Sequence, residues 1–309
     1  MKKKEKILIG IPRAYLYYRY HVLWENFFKN LDCNIIESGI TTKKIIEEGK
    51  KLSIDESCLS SKIYLGHVSS LQGKCDYILI PRIHDYGKNE QVCVKFNATY
   101  DIVKNLIPNI KILDYNIEKT KNPFLFFNYL LLGLKINNNP LKIIKSYIKA
   151  KRENKKFYKN KLNEQTEKLN SKKLKILLVA HPYNVYDEYI GKPIVDKLND
   201  LGAELIYADL LDHKTARMFA KPLSPTLYWT YSKELIGAVN YYQHSVDGII
   251  FLTTFPCGPD SLVNELMIRK LNNIPITNIL IDEQTATAGL ETRLESFIDI
   301  IKERKSKYE

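Results

Sequence analysis

The sequence lacks long apolar runs and the short motifs that identify many protein classes directly. No stretch of about 18 apolar residues occurs in its 309 residues, so we expect neither a membrane span nor a membrane partner. Residues 1–6 are mostly charged and lead into an apolar strand pattern without a signal-peptide core, which predicts a cytoplasmic location. No Walker-type glycine loop and no dinucleotide glycine fingerprint is present, so we expect no nucleotide bound in either of those ways.

Cysteine is also scarce. The chain has five cysteines, and no two of them form a Cys-x-x-Cys pair. In a cytoplasmic protein these cysteines are not expected to form disulfides, so metal or redox chemistry is the better expectation for any cysteine with a special role. Their spacing alone matches no iron–sulfur signature.

Positive charge, by contrast, is abundant. The net charge is +12, and much of it lies between residues 142 and 175, in a stretch rich in lysine and asparagine. No aromatic-interleaved RNA motif, zinc-finger spacing or helix-turn-helix signature accompanies it, so nucleic acid is not the expected partner. The pattern predicts a solvated helical hairpin, and it leaves open an acidic partner protein or a phosphate-bearing substrate.

Short apolar segments alternate with helical patterns in both halves of the chain. Because 309 residues with 45% hydrophobic content suit two domains better than one, we predict an α/β fold of two similar Rossmann- or flavodoxin-like lobes with parallel sheets. Residues 1–118 form the predicted N-terminal lobe, 119–172 a helical linker or hairpin, and 173–309 the C-terminal lobe. The predicted strands are 6–11, 34–37, 76–81, 111–114, 173–180, 203–207, 246–251 and 274–281. The predicted helices are 17–31, 41 or 42 to 52, 59–71, 100–106, 192–201, 262–271 and 290–305, together with a helical pattern over 122–171.

The second half repeats the first in outline. Strand 246–251 parallels strand 77–80, and a cysteine follows each of them in a loop, Cys257 and Cys93. Ligands of parallel α/β sheets bind beyond the carboxyl ends of the strands. If the two lobes face each other, Cys93 and Cys257 are expected in the cleft between them.

Cys257 has the most informative surroundings. It lies between a strand pattern and a helix pattern, in the segment 255–261, which reads FPCGPDS. The prolines and the glycine restrict the backbone, Asp260 and Ser261 are suitable N-caps, and a helix start favours a thiolate. The local pattern leaves open whether this thiolate is a metal ligand, a nucleophile or neither.

The other cysteines fall into two groups. Cys58 follows acidic and capping residues at a predicted helix start, and Cys93 ends a polar loop. Cys33 and Cys75 each precede a strand and are expected to be small buried fillers. A metal site shared by Cys58, Cys93 and Cys257 and a lone catalytic thiol at Cys257 both remain open.

Other polar residues give weaker signals. His84 and Asp85 lie in the predicted loop before Cys93, and His181 follows a strand, where it would line the cleft. His67 falls in a helix pattern and is expected to be packed or half-exposed. Residues 282–285 follow the last strand and are expected to act mainly as an N-cap cluster.

Several segments are familiar when taken together. They are residues 9–14, 55–58, 77–82, 93–96, 257–261, 282–285 and 288–295, which read IGIPRA, DESC, YILIPR, CVKF, CGPDS, DEQT and AGLETRLE. In their order and spacing, the chain resembles the acyl-CoA dehydratase activase-related proteins. These form a domain of unknown function allied to the subunits of 2-hydroxyacyl-CoA dehydratase and benzoyl-CoA reductase, and the resemblance covers about residues 7–301.

The resemblance implies a [4Fe–4S] cluster bound between the two lobes by Cys58, Cys93 and Cys257. In the allied dehydratases the fourth iron is open to substrate or to a ligand other than cysteine. Their partner is a separate ATP-dependent activase, itself an iron–sulfur protein, which delivers a low-potential electron. Glu56, His84 and Asp260 are then the candidates for proton handling beside the cluster.

The chain departs from the family pattern at two positions after cysteines. Ser60 and Val94 stand where relatives commonly have proline, which puts the stiffness of those loops in doubt, although the cysteines are kept. The sequence has no ATPase domain, so an ATP-driven step requires another protein.

Three hypotheses follow. The chain is an iron–sulfur enzyme component for reductive or radical chemistry on a small substrate such as an acyl-CoA, a non-catalytic electron carrier or scaffold, or a basic binding protein with structural cysteines. Whether it is an enzyme, and whether it forms a homodimer or a heterodimer, stays open at this point.

Overall fold

The computed structural model describes residues 6–284 and 287–307. The chain divides into two compact units, Met1–Lys159 (unit 1) and Asn160–Glu309 (unit 2). Among the described residues, every helix is too short or too polar to span a bilayer.

Unit 1 is built on a parallel sheet of four strands in the order β2-β1-β3-β4. Its strands are β1 (Leu8–Ile11), β2 (Asn34–Glu37), β3 (Tyr77–Asp85) and β4 (Ile112–Glu118). Its helices are α1 (Tyr17–Asn30), α2 (Lys43–Lys51), α3 (Leu59–Ser70), α4 (Val94–Leu106) and α5 (Leu125–Leu134), and the division between the units falls within α6 (Pro140–Leu169). Trp24, Phe27 and Phe28 of α1 are among its largest fully buried side chains.

Unit 2 repeats this arrangement, with a parallel sheet in the order β6-β5-β7-β8. Its strands are β5 (Lys175–Val179), β6 (Glu204–Tyr207), β7 (Gly248–Thr254) and β8 (Ile276–Ile281). Its helices are α7 (Pro182–Val185), α8 (Lys192–Asp200), α9 (His213–Ala220), α10 (Thr230–Tyr242), α11 (Gly258–Lys270) and α12 (Thr287–Ser306), with a short 3₁₀ helix at Ala208–Leu210. Every residue of β7 is buried, as expected for a central parallel strand covered by helices on both faces.

The prediction of two similar α/β lobes with parallel sheets is confirmed. In each unit the chain moves to one side of its first strand and then to the other, so the strand order reverses between β1 and β3 and between β5 and β7. In open α/β sheets the carboxyl ends of the strands at such a reversal form the usual ligand-binding position. This edge of each sheet is therefore where functional side chains are expected.

A glycine contact also repeats between the units. A Cβ built on Gly66 of α3 would lie 1.9 Å from the carbonyl oxygen of Ile45 in α2, and a Cβ on Gly237 of α10 would lie 1.9 Å from that of Ala216 in α9. Both helix pairs thus pack backbone against backbone, which only glycine permits. Since Gly66 and Gly237 occupy equivalent positions, the two helix pairs can be compared residue by residue.

Several elements differ from the sequence-based prediction, including α9 and α10, which were not predicted, and two of the differing boundaries bear on the candidate site. β3 continues to Asp85, because residues 78–85 pair with β4, and Arg82 and His84 alternate with the buried Ile83 and Asp85 as in a half-buried strand. α4 begins at Val94 rather than near residue 100, so its first turn directly follows Cys93. His84 therefore lies on a strand and not in a loop.

Candidate functional site

Three of the five cysteines are N-cap residues of α-helices. Cys58 precedes α3, Cys93 precedes α4 and Cys257 precedes α11. The carbonyl oxygen of each accepts a hydrogen bond from the first helical turn, at 2.8 Å from Ser61, 2.9 Å from Phe96 and 3.0 Å from Ser261. None of the three thiols makes a side-chain capping hydrogen bond. Each sulfur thus lies at the positive end of a helix dipole, where a thiolate is favoured.

The segments that carry Cys58 and Cys93 are joined within unit 1. Nζ of Lys95, in the first turn of α4, donates a hydrogen bond to Oγ of Ser57 at 3.2 Å. Lys95 is two positions after Cys93 and contacts the residue before Cys58, and a nearby ammonium is a second influence that favours thiolates. Cys257 belongs to unit 2.

Cys33 and Cys75 have different surroundings. Cys33 is buried, and burial together with the charge of Asp32 raises the pKa of its thiol to about 11. Burial also raises the pKa of Cys75, whose sulfur packs so closely against Gly10 of β1 that a Cβ there would lie 2.6 Å from it. Both are held as neutral thiols, and Cys33 is buried as predicted, whereas Cys75 is half-buried.

Cys257 takes part in a buried polar cluster of unit 2. The thiol of Cys257 hydrogen-bonds the carboxylate of Asp260, which lies in the first turn of α11. Oδ1 of Asp260 is 2.8 Å from Nε2 of His181, and its Oδ2 accepts a hydrogen bond from the hydroxyl of Thr253 at 3.2 Å. These four side chains form the Asp260 cluster, which lies at the carboxyl ends of β5 and β7.

The carboxylate is the centre of this cluster. Asp260 is 4% exposed, and burial alone would raise the pKa of its carboxyl group. The nearby His181 and the hydrogen bonds from His181, Cys257 and Thr253 outweigh burial and hold this pKa below its ordinary value. Asp260 is therefore an anion at neutral pH and can fix the directions of both the imidazole and the thiol.

Aromatic rings complete the surroundings of His181. The imidazole stacks on Tyr183 with centroids 5.0 Å apart, and Tyr231 of α10 approaches it edge-on at 6.2 Å. Sequence reasoning did not identify Tyr231 or Thr253 as site residues. Thr253 could have been found from the continuation of the apolar run into β7, but Tyr231 lies in a segment for which no element was predicted.

The corresponding edge of unit 1 is aromatic. Tyr15, which follows β1, stacks on Tyr64 of α3 at 4.8 Å and contacts Phe96 of α4 at 4.7 Å. Tyr15 has a left-handed backbone with φ of 50°, an uncommon conformation for a tyrosine. Phe96 follows Cys93 by three positions, as Asp260 follows Cys257, so the two units place an aromatic ring and a carboxylate at equivalent positions.

His67 is buried near the same edge of unit 1. Its Nδ1 lies 2.8 Å from Oγ of Ser38, and its Nε2 lies 2.9 Å from Oγ1 of Thr41. Burial, with a smaller contribution from Arg13, lowers the pKa of His67 to about 4. The ring is therefore neutral at physiological pH and bridges two hydroxyl groups.

The remaining predicted candidates do not join a cysteine site in the described residues. Glu56 is exposed in the turn before Cys58. His84, Asp85 and Glu118 have potential ligand atoms within 4.8 Å of one another, and this group contains no cysteine. Asp85 already accepts hydrogen bonds from Gly87, Thr120 and His84, so its carboxylate braces the turn after β3.

The segment after β8 also forms a local turn. The backbone N–H of Gln284 donates to Oδ1 of Asp282 at 2.8 Å, a side-chain-to-backbone bond typical of turns. Thr285, the last residue of this predicted cluster, lies outside the described residues. The observed bond belongs to a turn, and the N-cap role predicted for these residues stays a prediction.

The three helix starts offer donors of the kind that iron–sulfur clusters use, but the described residues do not bring Cys58, Cys93 and Cys257 together in one group of metal-ligating side chains. Thiolates are the usual ligands of iron–sulfur clusters, and backbone N–H groups at helix N-termini offset the negative charge of such ligands. Cys58, Cys93 and Cys257 lie at helix N-termini, whereas Cys33 and Cys75 do not.

Comparison with known proteins identifies the family of the chain. No curated protein matches the sequence. The family model described as CoA enzyme activase uncharacterised domain (DUF2229) matches residues 8–211, which include Cys58 and Cys93 and end before Cys257. Because the match covers most of the chain, the protein belongs to the CoA enzyme activase uncharacterised domain family.

Proposed function

We propose that this protein binds a [4Fe–4S] cluster through Cys58, Cys93 and Cys257 and receives low-potential electrons from a separate ATP-dependent activase. The observation that carries the proposal is the division of the cysteines into two kinds. Three cap α-helices, where thiolates are favoured, and two lie elsewhere with thiol pKa values raised by burial. If all five cysteines were only small apolar residues, we would not expect them to divide into these two kinds.

The internal repeat supports a set of three thiolates rather than four. Cys93 and Cys257 occupy equivalent N-caps, after the third strand of each unit. Cys58 lies eight residues before Gly66, and the residue eight positions before Gly237 is Trp229, the N-cap of α10. Trp229 cannot ligate iron, so the repeat supplies three cysteine ligands and leaves one iron without a thiolate.

Such a cluster would supply one-electron reduction, and an iron without a thiolate would supply a Lewis acid for a hydroxyl or carbonyl oxygen. The residues of this chain would orient the ligands. Asp260 holds the side chain of Cys257 in one direction, and His181 and Thr253 hold Asp260 in turn. Lys95 steadies the segments of Cys58 and Cys93 through Ser57.

The family description, which refers to CoA enzymes, supports acyl-CoA thioesters as the first substrate class to test. The chemistry we propose is reductive or radical conversion of such a substrate after electron transfer from the activase. We assign the ATP-driven step to an activase, because the 309 residues contain no ATP-binding glycine loop of their own.

Anaerobic iron and sulfide analysis tests cluster binding. We expect brown protein with about four irons per chain and a cluster signal in the EPR spectrum after reduction. Cys58→Ser, Cys93→Ser and Cys257→Ser should each lose most of the iron, and Cys33→Ser and Cys75→Ser are the matched controls that should keep it. Colourless wild-type protein after anaerobic reconstitution would contradict the proposal and favour a basic binding protein with structural cysteines.

A second experiment separates an enzyme from an electron carrier. The iron-loaded protein is mixed with activase, ATP, a reductant and a panel of acyl-CoA thioesters, and substrate loss is followed by mass spectrometry. Turnover that requires all components supports the proposed enzyme function. Reduction of the cluster by the activase without conversion of any thioester would instead identify a carrier or scaffold.

A further inference from the structure

Helix α5 of unit 1 has an unusual distribution of side chains. None of its ten residues is charged, and its sequence is LFFNYLLLGL. The side chains that point to solvent are apolar, with Phe124 at the N-cap 64% exposed, Phe127 47%, Leu131 60% and Leu134 42%. Asn128, the polar residue of the helix, is buried instead. A helix at the surface normally has the opposite arrangement, with polar residues outward.

The apolar surface extends to the start of α6. Leu141 is 69% exposed and Ile148 is 43% exposed. The two helices are packed together, because the rings of Phe126 and Tyr147 have centroids 5.8 Å apart. The α5–α6 apolar surface is defined here as Phe124, Phe127, Leu131, Leu134, Leu141 and Ile148.

The charges that border α5 are already neutralised. Lys121, before the helix, pairs with Glu118 at 2.9 Å, and Lys135, at its C-cap, pairs with Asp114 at 2.6 Å. An acidic partner protein would find no unpaired cation at these two ends of the helix. Because α5 itself carries no charge, α5 of one copy can meet α5 of a second copy without bringing charges of that helix together, and the cations of α6 lie beside this contact.

The area is sufficient for self-association. Six large side chains at these exposures present roughly 500 Å² of apolar surface, which is near the upper end for the largest patch on a monomer. Two copies of the surface in contact would bury roughly 1,000 Å², about the lower limit for a specific interface. We propose that the α5–α6 apolar surface is a homodimer interface, in which α5 of one copy packs against α5 of a second copy about a two-fold axis.

Sedimentation equilibrium of the full chain tests this interface. Wild-type protein should show a monomer–dimer equilibrium, and Leu131→Glu should weaken association by at least about tenfold, because a charge would be buried at the centre of the contact. Met218→Glu on α9 is the matched control, since Met218 is 63% exposed in unit 2 and lies outside the surface. Circular dichroism establishes that both variants fold. A monomeric wild type, or a dimer that Leu131→Glu leaves intact, would overturn the proposal.

Salt dependence and cross-linking give independent tests. α6 carries exposed cations at Lys145, Lys149 and Arg152, and their repulsion between two copies is screened by salt, so dimerisation should strengthen as salt is raised. Dissociation at high salt would point to a contact between opposite charges and would overturn the apolar interface. Under mild oxidation, Leu131→Cys should form a disulfide-linked dimer and Met218→Cys should not; equal cross-linking of the two variants would also refute the model.

Discussion

The two units share one scaffold and differ at the carboxyl edge of their sheets. In both, a cysteine caps the helix that follows the third strand. Three residues later, unit 1 has Phe96 in an aromatic cluster with Tyr15, and unit 2 has Asp260 in a buried hydrogen-bonded cluster. The scaffold therefore fixes where each thiol lies, and the neighbouring side chains decide whether its surroundings are apolar or charged.

The buried histidines show the same difference. His67 in unit 1 is held between the hydroxyl groups of Ser38 and Thr41, which do not compensate a positive charge. His181 in unit 2 is held by the carboxylate of Asp260, which does. Each unit thus provides hydrogen-bond partners for a buried imidazole, but only a carboxylate partner supports proton movement beside a cysteine.

Replacing the hydrogen-bond partner of the buried histidine should give the largest difference in stability loss between the two units. Asp260→Ala removes the charged acceptor of the hydrogen bonds from His181 and Thr253, and we expect a loss of about 3 kcal/mol in the stability of unit 2. Ser38→Ala removes one neutral hydrogen bond to His67, with an expected loss of about 1 kcal/mol in unit 1. Hydrogen exchange read by mass spectrometry in β1 and in β5 measures the two losses separately. Equal losses would show that the carboxylate and the hydroxyl have the same structural role.

Lowering the pH should destabilise the protein through His67, the neutral buried histidine of unit 1. Because the pKa of His67 is about 4 in the folded chain and near 6.5 in the unfolded chain, the unfolded state takes up a proton first as the pH falls. The stability that His67 contributes is complete above pH 6.5 and declines by about 3 kcal/mol as the pH approaches 4. His67→Gln cannot titrate and should lack this loss. Denaturant unfolding of the two proteins across this pH range measures the difference, and parallel pH profiles would contradict it.

The smallest expected effect concerns the caps that the two units share. Serine is a strong N-cap and the cysteines make no capping bond, so Cys58→Ser, Cys93→Ser and Cys257→Ser should each stabilise the iron-free protein by about 0.5–1 kcal/mol. Cys33→Ser buries a hydroxyl group and should destabilise it by about 1 kcal/mol. Thermal unfolding of iron-free protein under reducing conditions tests both signs. Destabilisation by all four substitutions would show that the capping cysteines are packed like Cys33.

Much of the scaffold could be predicted because its signals are local. The apolar run that forms β7 and the proline, glycine and aspartate around Cys257 lie within a few residues of one another, and they identify a strand end followed by a helix start. The start of α4 was missed because Val94 and its neighbours give no clear helix signal, and Cys93 is at its N-cap without a preceding proline or a capping box.

The polar contacts could not be predicted because they join distant parts of the chain. His181 and Asp260 are 79 positions apart, and only the pairing of β5 with β7 brings them together. The same holds for His67 with Ser38, which are 29 positions apart. Sequence reasoning named Asp260 as a candidate but could not give its partner, and the partner determines its protonation state.

The repeated glycine contact has a consequence for mutational scanning. At Gly66 and Gly237 even alanine would place its Cβ 1.9 Å from a backbone oxygen, so a helix would have to move. A saturation library selected for folded protein should therefore reject every substitution at both positions, although neither residue bears a functional group. These two glycines are intolerant for steric reasons alone. Loss of substitutions at the cysteines indicates a chemical role only when it is compared with the loss at these glycines.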